Sequence, residues 1–404
     1  MKSGRLHLAL AVFLLLLGLL SAGVHTFTQN NTLGTDFFVF WQARRGFLLD
    51  RTSPYSEEFA LRSQLAVYKH PAAPGEDQLG FAYPPFSILA ILPLLFLPFD
   101  WASAVWLALL ILCWVAAVFL ITRQAPLWPG LLIAAFYPVF FGLVLGNFVS
   151  LAAALLAVLA GLYLFAERPG EGPQILAGAA AAFLLIKPQF SWLYVAILLL
   201  HGLRGRQRAF LTAFAGGAIF FGLVSFWIWP PWPREWLAEV TRYAGYNQTW
   251  PTAVVLLRDL LPADWALGVG TLALAGVMVA TFYYLFRWWS GRLAILPLLA
   301  WAGLAAYLVH PHGKSYEHLV FLVPLLVWVC RHPRRLSLAV QAWWLGSLAV
   351  SWLAFALSFS LPALGGVTEW PVLAYAAWVA WLLRRETVSG YAQEAKNKHP
   401  TDAD

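Results

Sequence analysis

The sequence predicts an all-α polytopic membrane protein. Of its 404 residues, 61% are hydrophobic and only 11% are charged, and the mean hydropathy is +0.70. Ordinary soluble domains carry about a quarter charged residues, so no soluble core would hide this much apolar surface. The formal net charge of +7 is divided among short clusters between apolar runs. This pattern is typical of membrane topology signals and gives no indication of nucleic-acid binding.

Twelve apolar runs are candidates for membrane-spanning helices, because a helix needs about 20 apolar residues to cross roughly 30 Å of hydrocarbon. The runs cover about residues 7–27, 84–99, 101–122, 127–145, 148–166, 174–200, 209–229, 265–286, 293–309, 316–330, 336–358 and 369–383. The second run starts at Pro84 and Pro85, which mark a helix start because proline is tolerated in the first turn. Asp100 is predicted to cap the third helix.

The two ends of the chain have different predicted roles. The first run is similar to a signal peptide, but we expect it to be a retained signal-anchor because many further spans follow it. We expect one multi-pass domain over residues 1–385, without an internal repeat. Residues 386–404 are polar and are predicted to form a disordered cytoplasmic tail. The cysteines, Cys113 and Cys330, lie in apolar runs and form no metal or redox motif.

The distribution of Lys and Arg predicts the orientation of the chain. With the N-terminus in the cytoplasm, the loops on that side hold fourteen basic and five acidic residues, against eleven basic and fourteen acidic residues on the other side. Cytoplasmic loops are enriched in Lys and Arg, so we expect a plasma (inner) membrane protein with both termini in the cytoplasm. The segments at about 28–83, 230–264 and 310–315 are then extracytoplasmic.

The first extracytoplasmic segment carries the first candidate for chemistry. Asp36 follows the opening span and precedes an aromatic run that includes Trp41, followed by Arg44 and Arg45. A carboxylate held at the interface would take a proton from a hydroxyl, while aromatic rings hold a sugar or a lipid. The alternative is an interfacial amphipathic helix in which Asp36 is only the N-terminal charge.

A second candidate is Lys187, which lies about midway along the apolar run 174–200. An ionisable residue inside a membrane is energetically expensive and is a functional candidate by default. The following Pro188 predicts a locally broken helix, with the ammonium group near a polar cavity and an anion such as a lipid phosphate as its partner. The alternative is a lysine that extends its side chain to the interface.

The third candidate is a polar cluster where a predicted span meets the outer surface. It consists of His310, His312, Lys314, Glu317 and His318. The histidine spacing matches no strong zinc signature, although a metal site stays an alternative. Hydrogen-bond donors of this kind suit a phosphate better. A third possibility is a set of ordinary interfacial polar residues.

Other motifs restrict the function classes. Gly146 and Asn147 separate two apolar runs, and we predict a tight interhelical turn there. The aromatic residues of the second outer loop either belt the interface or stack on sugars. The sequence contains no Walker loop, Rossmann fingerprint, Ser-His-Asp elbow signature or CxxC motif. A nucleotide-sugar donor and an ATP-driven pump are therefore disfavoured.

The ordered set of short motifs resembles glycosyltransferase family 87. The matching positions are Asp36, the SPY turn at 53–55, YPP at 83–85, GN at 146–147, KP at 187–188, and HP at 310–311 followed by His318. The resemblance covers about residues 30–325. It implies a GT-C-like bundle of about twelve transmembrane helices with extracytoplasmic loop helices. It also implies an inverting transfer of a sugar, usually mannose, from a polyprenyl-phosphate donor to an extracytoplasmic glycolipid, glycan or protein acceptor.

The resemblance also implies roles for the candidate residues. Asp36 would be the general base. The expected donor phosphate and lipid contacts are Lys187, His310, His312, Lys314, His318, Arg44 and Arg45. The expected acceptor or sugar contacts are Trp41, Tyr55 and Tyr83.

The chain departs from the family pattern at two positions. Phe37 stands beside Asp36 where a paired acidic motif would have a second acid, and Asn147 stands where the family usually has Gln. The first departure is compatible with a metal-free reaction, because a monophosphate leaving group needs less charge neutralisation than a diphosphate. We expect no cofactor and no divalent metal.

Two other function classes stay open at this point. A secondary transporter or lipid-carrier translocase would have its site near Lys187, with short loops on both faces and repeated halves. A non-catalytic scaffold would have no reason to cluster Asp, Lys and His on one face. The long outer loops on one side of the predicted membrane favour the transferase.

Overall fold

The computed structural model describes residues 2–28, 35–73, 76–94, 96–122, 136–164, 169–246, 251–258, 261–310, 314–332, 337–360 and 371–398. This part of the chain is helical and contains no strand, which confirms the all-α prediction. The α-helices are α1 Lys2–Thr28, α2 Thr35–Arg45, α3 Glu57–Val67, α4 Phe99–Thr122, α5 Tyr137–Leu145, α6 Phe148–Leu159, α7 Glu171–Phe183, α8 Pro188–Arg204, α9 Arg208–Ile228, α10 Trp232–Tyr246, α11 Thr252–Arg258, α12 Ala263–Trp289, α13 Ile295–Val309, α14 Leu319–Arg331, α15 Leu338–Ser360 and α16 Pro371–Lys398.

Four of the described helical stretches are long and apolar enough to cross a membrane. They are Leu10–Thr28, Phe99–Ile121, Arg208–Ile228 and Trp265–Trp289. Many of their apolar side chains are exposed in the isolated chain, among them Leu15, Phe119 and Phe282. Side chains of this kind are stable on the surface only if lipid covers them. Several shorter apolar helices pack between these four, and the total of twelve crossings stays a prediction.

The predicted span over residues 84–99 is wrong. The chain there forms a 3₁₀-helix from Pro85 to Leu94 with Pro93 inside it. Each proline lacks a backbone N–H group and interrupts α-helical hydrogen bonding, so the repeated prolines prevent a continuous α-helix. Ten residues at about 2 Å each reach roughly 20 Å, which is too short to cross the hydrocarbon layer.

The contact between α1 and α4 shows where residues 84–99 lie. Nε2 of His25 lies 3.0 Å from Oδ2 of Asp100, and the His25 ring stacks on Trp101 with the centroids 4.0 Å apart. The last turn of α1 therefore packs against the first turn of α4, and the two helices run antiparallel. Asp100 lies at the same end as residues 35–94, whereas the sequence predicted it on the opposite side.

The predicted span 174–200 is divided into two helices. Helix α7 ends at Phe183, one 3₁₀ turn follows, and α8 begins at Pro188. Lys187 has φ −132° and ψ 72°, outside the helical region, because the proline ring disfavours helical backbone at the preceding residue. The break that the sequence predicted is present, and it places Lys187 at the joint.

At the C-terminus, α16 continues to Lys398, where the sequence predicted a disordered tail from residue 386. Alanine, glutamate and lysine are frequent in this stretch and have high helix propensity.

An aromatic cluster packs the first turn of α2 against its neighbours at one end of the fold. Phe37, Phe40, Phe81, Trp106 and Phe148 are all buried in it. They come from α2, from the loop before the 3₁₀-helix, from α4 and from α6. The rings of Phe40 and Phe148 stack with centroids 4.2 Å apart. This packing fixes the first turn of α2 against the start of α6, where the candidate site lies.

Candidate active site

A partly open cavity lies at the end of the helices that carries the aromatic cluster, and it holds about 620 Å³ of empty space, some of it continuous with solvent. Five of the predicted site residues line it, namely Asp36, Tyr83, Lys187, His310 and Lys314. Residues from segments far apart in the chain thus meet in one place. The polar neighbours Asp77, Asn147, Gln189, Tyr243 and Glu317 also line the cavity.

Asp36 lies in the first turn of α2, where the partial positive charge of a helix N-terminus favours a carboxylate. Its Oδ2 atom accepts a hydrogen bond of 2.6 Å from Nδ2 of Asn147. Burial raises the pKa of Asp36 to about 6, against the lowering effects of the Asn147 hydrogen bond, Lys187 and Lys314, and the like charge of Asp77 adds to the rise. The carboxylate is therefore ionised at neutral pH and close to the pKa that suits a general base.

The Gly-Asn turn does more than the sequence predicted. Gly146 ends α5 with φ +65°, a conformation that favours glycine, and a Cβ atom there would lie 2.8 Å from Cβ of Phe37. Asn147 then caps α6, because its Oδ1 accepts a 2.8 Å hydrogen bond from the Val149 N–H. The same side chain uses its amide group to bind Asp36. Sequence reasoning missed this second role, since Gly-Asn is a common turn signal by itself.

Replacing Asn147 with Ser should separate these two roles. Serine is a good helix cap, so we expect near-normal stability, but it cannot donate the amide hydrogen bond that lowers the pKa of Asp36. A hydrogen bond to a charged group contributes about 1.5–3 kcal/mol, and one pKa unit corresponds to about 1.4 kcal/mol. In a plot of reaction rate against pH, the rise on the acidic side reports the ionisation of Asp36. We expect this acidic limb to move up by about one pH unit. An unchanged limb would show that Asn147 only caps the helix.

Lys187 is buried and forms an ion pair inside the fold. Its Nζ atom lies 2.7 Å from Oε1 of Glu317, and the rings of Tyr83, Phe190 and Tyr316 lie 5.2–5.9 Å from it. The other carboxylate oxygen of Glu317 accepts a 2.8 Å hydrogen bond from the Lys314 backbone N–H. Glu317 therefore connects the helix break to the start of α14. The sequence placed Glu317 in the polar cluster but did not predict this pairing.

The histidines of the polar cluster are placed differently from one another. His310 lines the cavity, and its ring lies 4.5 Å from that of Phe190. Lys314 also lines the cavity. His318 is buried behind it, with Nε2 3.0 Å from the hydroxyl of Tyr307. His312 lies outside the described residues.

Arg44, Arg45 and Trp41 do not line the cavity. Arg44 is buried and donates to the Leu94 carbonyl over 2.6 Å, so its guanidinium joins α2 to the 3₁₀-helix. Arg45 is exposed and pairs with Asp50 at 3.2 Å. The indole of Trp41 donates to a backbone carbonyl and packs against the Arg44 guanidinium. These placements leave all three residues out of the candidate site.

The two predicted tyrosines lie one behind the other. Tyr83 lines the cavity, and burial raises its pKa to about 12, so its hydroxyl stays protonated and does not compete with Asp36 as a base. Tyr55 is buried beside it and donates a 2.8 Å hydrogen bond to the Tyr83 carbonyl. Tyr55 therefore supports the wall of the cavity from behind.

Helix α10 packs against the segment between α2 and the 3₁₀-helix. Its Trp236 indole donates to the Ala82 carbonyl over 3.2 Å, and Glu235 accepts a hydrogen bond from Ser53. Farther along the same helix, Tyr243 reaches the cavity wall. The sequence pattern left open whether the aromatic residues of this segment belt the interface or stack on sugars, and the packing shows that one of them, Tyr243, faces the site.

The cavity contains no evident metal centre. Within the described ranges, no group of three or more His, Cys, Asp or Glu side chains has a suitable arrangement to hold a metal ion. A metal-free reaction stays a prediction.

The fold and the cavity define a helical membrane protein whose site combines a partly buried carboxylate, an amide that orients it, and the ammonium groups of Lys187 and Lys314. The model of glycosyltransferase family 87 matches residues 81–311, which is more than half of the chain. The chain belongs to this family and is a membrane glycosyltransferase. Membership therefore favours the enzyme over the transporter.

The family match covers Asn147, Lys187 and His310, but it begins after Asp36 and ends before Lys314. The roles of these last two residues therefore rest on their positions in the cavity. No curated protein and no solved structure matches the chain.

Proposed function

We propose that the protein transfers a sugar, mannose by our expectation, from a polyprenyl-phosphate donor to an extracytoplasmic acceptor with inversion at the anomeric carbon. Asp36 is the general base of this reaction. The donor lies against Lys187, His310 and Lys314, and the acceptor enters beside Asp36. Membrane lipid surrounds the site, and no nucleic acid takes part.

The observation that carries this proposal is that a carboxylate and cationic groups from distant segments of the chain line one cavity. Asp36 lines the wall formed by the first outer segment, whereas His310 and Lys314 line it from the chain around the start of α14. A hydroxyl that loses a proton and a phosphate that leaves with a negative charge need opposite surroundings. Both surroundings are present in the same space.

The reaction needs one displacement. The acceptor oxygen attacks the anomeric carbon from the face opposite the phosphate, a new carbon–oxygen bond forms, and the bond to the phosphate oxygen breaks. The acceptor proton goes to Asp36, and the electron pair of the broken bond leaves with the polyprenyl phosphate. Because the donor already carries an activated leaving group, no ATP is needed at the outer face. Attack from the opposite face inverts the anomeric configuration.

The cellular arrangement is part of the same proposal. The chain lies in the plasma (inner) membrane with both termini in the cytoplasm and the cavity at the outer surface. Residues 1–385 form one GT-C-like domain. The positive charge of the inner loops supports this orientation.

Transfer of radiolabelled mannose from polyprenyl-phosphate-mannose by the reconstituted protein tests the proposal, with a membrane-lipid extract as acceptor. We expect the rate to rise about tenfold per pH unit up to about pH 6 and then to level off, because only ionised Asp36 accepts a proton. Glu239 on α10 also has a raised pKa, about 7 because of burial. The Asn147→Ser variant therefore decides which carboxylate causes the acidic limb, because its loss of a hydrogen bond affects Asp36 and not Glu239. No transfer from this donor at any pH would contradict the proposal.

A further inference from the structure

A second carboxylate faces the cavity from the first outer segment. Asp77 lines the same wall as Asp36, although 41 positions separate them in the chain. It lies before the region that the family model matches. Sequence reasoning did not single it out, because it stands in a polar loop where a charged residue attracts no attention.

The backbone around Asp77 is held in one conformation. The Tyr68 hydroxyl donates to the Asp77 carbonyl over 3.1 Å, and the Gln64 side chain donates to the Gln78 carbonyl over 2.8 Å. Leu79 has φ +51° and is buried in the aromatic cluster. A left-handed conformation at a residue with a side chain costs about 1–2 kcal/mol, and such costs concentrate at functional sites. The loop therefore presents the Asp77 carboxylate in a fixed position.

One oxygen of this carboxylate has a structural task. Oδ1 of Asp77 accepts a 2.8 Å hydrogen bond from the Leu79 N–H and closes the turn. Among the residues that the structure describes, no lysine, arginine or histidine forms an ion pair with Asp77. The carboxylate thus keeps its negative charge and acceptor capacity for the cavity. Lys187, by contrast, is already neutralised by Glu317.

We propose that Asp77 positions the acceptor by accepting hydrogen bonds from hydroxyls next to the one that Asp36 deprotonates. This inference rests on the proposed function. It makes the acceptor a polyhydroxylated molecule, such as the terminal sugar of a glycan or glycolipid, rather than a hydroxyl on an otherwise apolar lipid. A carboxylate suits such a ligand because its oxygens accept from neighbouring hydroxyls, and a charged acceptor makes stronger hydrogen bonds than a neutral one. The anionic donor lies against Lys187, His310 and Lys314.

The Asp77→Asn variant tests the proposal without breaking the turn, since the asparagine oxygen can still accept from Leu79. The loss of a charge-assisted hydrogen bond is expected to raise the acceptor KM about tenfold, with the donor KM within about twofold of wild type. The charge of Asp77 also contributes to the raised pKa of Asp36, so the acidic limb of the rate profile should move to lower pH. This shift reports the charge of Asp77 alone, so the acceptor KM is the measurement that separates positioning from a purely structural role.

The charges that face Asp36 make the pH experiment interpretable. Asp77 is the acid that raises its pKa, and the cations Lys187 and Lys314 lower it. Tyr83 stays protonated throughout the accessible range because burial holds its pKa near 12. Removing the negative charge of Asp77 therefore moves the acidic limb of the rate profile only to lower pH.

The control is Glu58→Gln, which removes the same charge from an exposed position on α3 where Glu58 pairs with Arg62 at 2.9 Å. An unchanged acceptor KM in Asp77→Asn would overturn the inference, whether or not the limb moves. So would a loss of kcat at normal acceptor KM, which would place Asp77 in the chemical step. Transfer that a chelator stops and Mn²⁺ restores would show that the two carboxylates hold a cation instead. No transfer by the wild type would contradict the proposed function, whereas wild-type transfer with a normal variant contradicts this inference alone.

Discussion

Asp36→Asn should lower kcat about a thousandfold, within the range of about 10²–10⁴ that a positioned general base contributes. The asparagine side chain has nearly the same size as aspartate, so α2 and the aromatic cluster beneath it should stay in place. It cannot accept the acceptor proton at neutral pH. The donor should still bind, because Lys187, His310 and Lys314, which are proposed to face its phosphate, are unchanged. Radiolabelled transfer measures the rate, and thermal stabilisation by the donor measures binding.

Two comparisons make this experiment decisive. Glu58→Gln is the charge-matched control and should keep full activity, since Glu58 is exposed and does not line the cavity. Raising the pH should not rescue Asp36→Asn, because the amide has no proton to lose in this range. If the variant transferred sugar at a near-normal rate, Asp36 would not be the base. The placement of the acceptor beside Asp36 would then have to be abandoned.

Lys187→Met should have the largest effect on stability. It leaves the Glu317 carboxylate buried without its cation, and breaking a buried pair from one side costs about 3–5 kcal/mol. The cavity also loses the ammonium that lies beside the rings of Tyr83 and Tyr316. We expect a lower unfolding midpoint in detergent and little transfer. Circular dichroism during heating measures the first effect, and the radiolabel assay measures the second.

The double variant Lys187→Met, Glu317→Gln separates the structural role from the functional one. Methionine and glutamine carry no charge, and the glutamine oxygen can still accept from the Lys314 N–H. Because replacing both members of a buried pair is often nearly neutral, the unfolding midpoint should return most of the way to wild type. Transfer should stay low, since the donor phosphate has lost the Lys187 ammonium and keeps only Lys314 and His310 as partners. Recovery of both properties would show that Lys187 only stabilises the fold.

Much of the helix content was predictable, because apolar runs of about 20 residues leave few alternatives to membrane helices. The prediction failed where hydropathy and backbone chemistry disagree. Residues 84–99 are apolar enough to span, but their prolines prevent an α-helix. The run 174–200 is also apolar enough for one helix, but there Pro188 indicated the break from the sequence, and the structure contains it. Hydropathy measures the preference for lipid and contains no information on missing N–H groups.

The site was predictable only in part. Asp36 and Lys187 were found because a charge stands out in apolar surroundings. Asp77 lies in a polar loop, so the same contrast is absent there. The partnership of Asn147 with Asp36 joins residues 111 positions apart. Neither spacing nor composition indicates a contact of this kind, and only the packing of α2 against the start of α6 reveals it.

The pairing of Lys187 with Glu317 has a consequence for how the protein is made. The two residues are 130 positions apart, and ribosomes add roughly 5–20 residues per second. For roughly ten seconds the nascent chain therefore holds a lysine in the membrane whose counter-ion has not yet been synthesised. Chains that stop before Glu317 keep this uncompensated charge permanently.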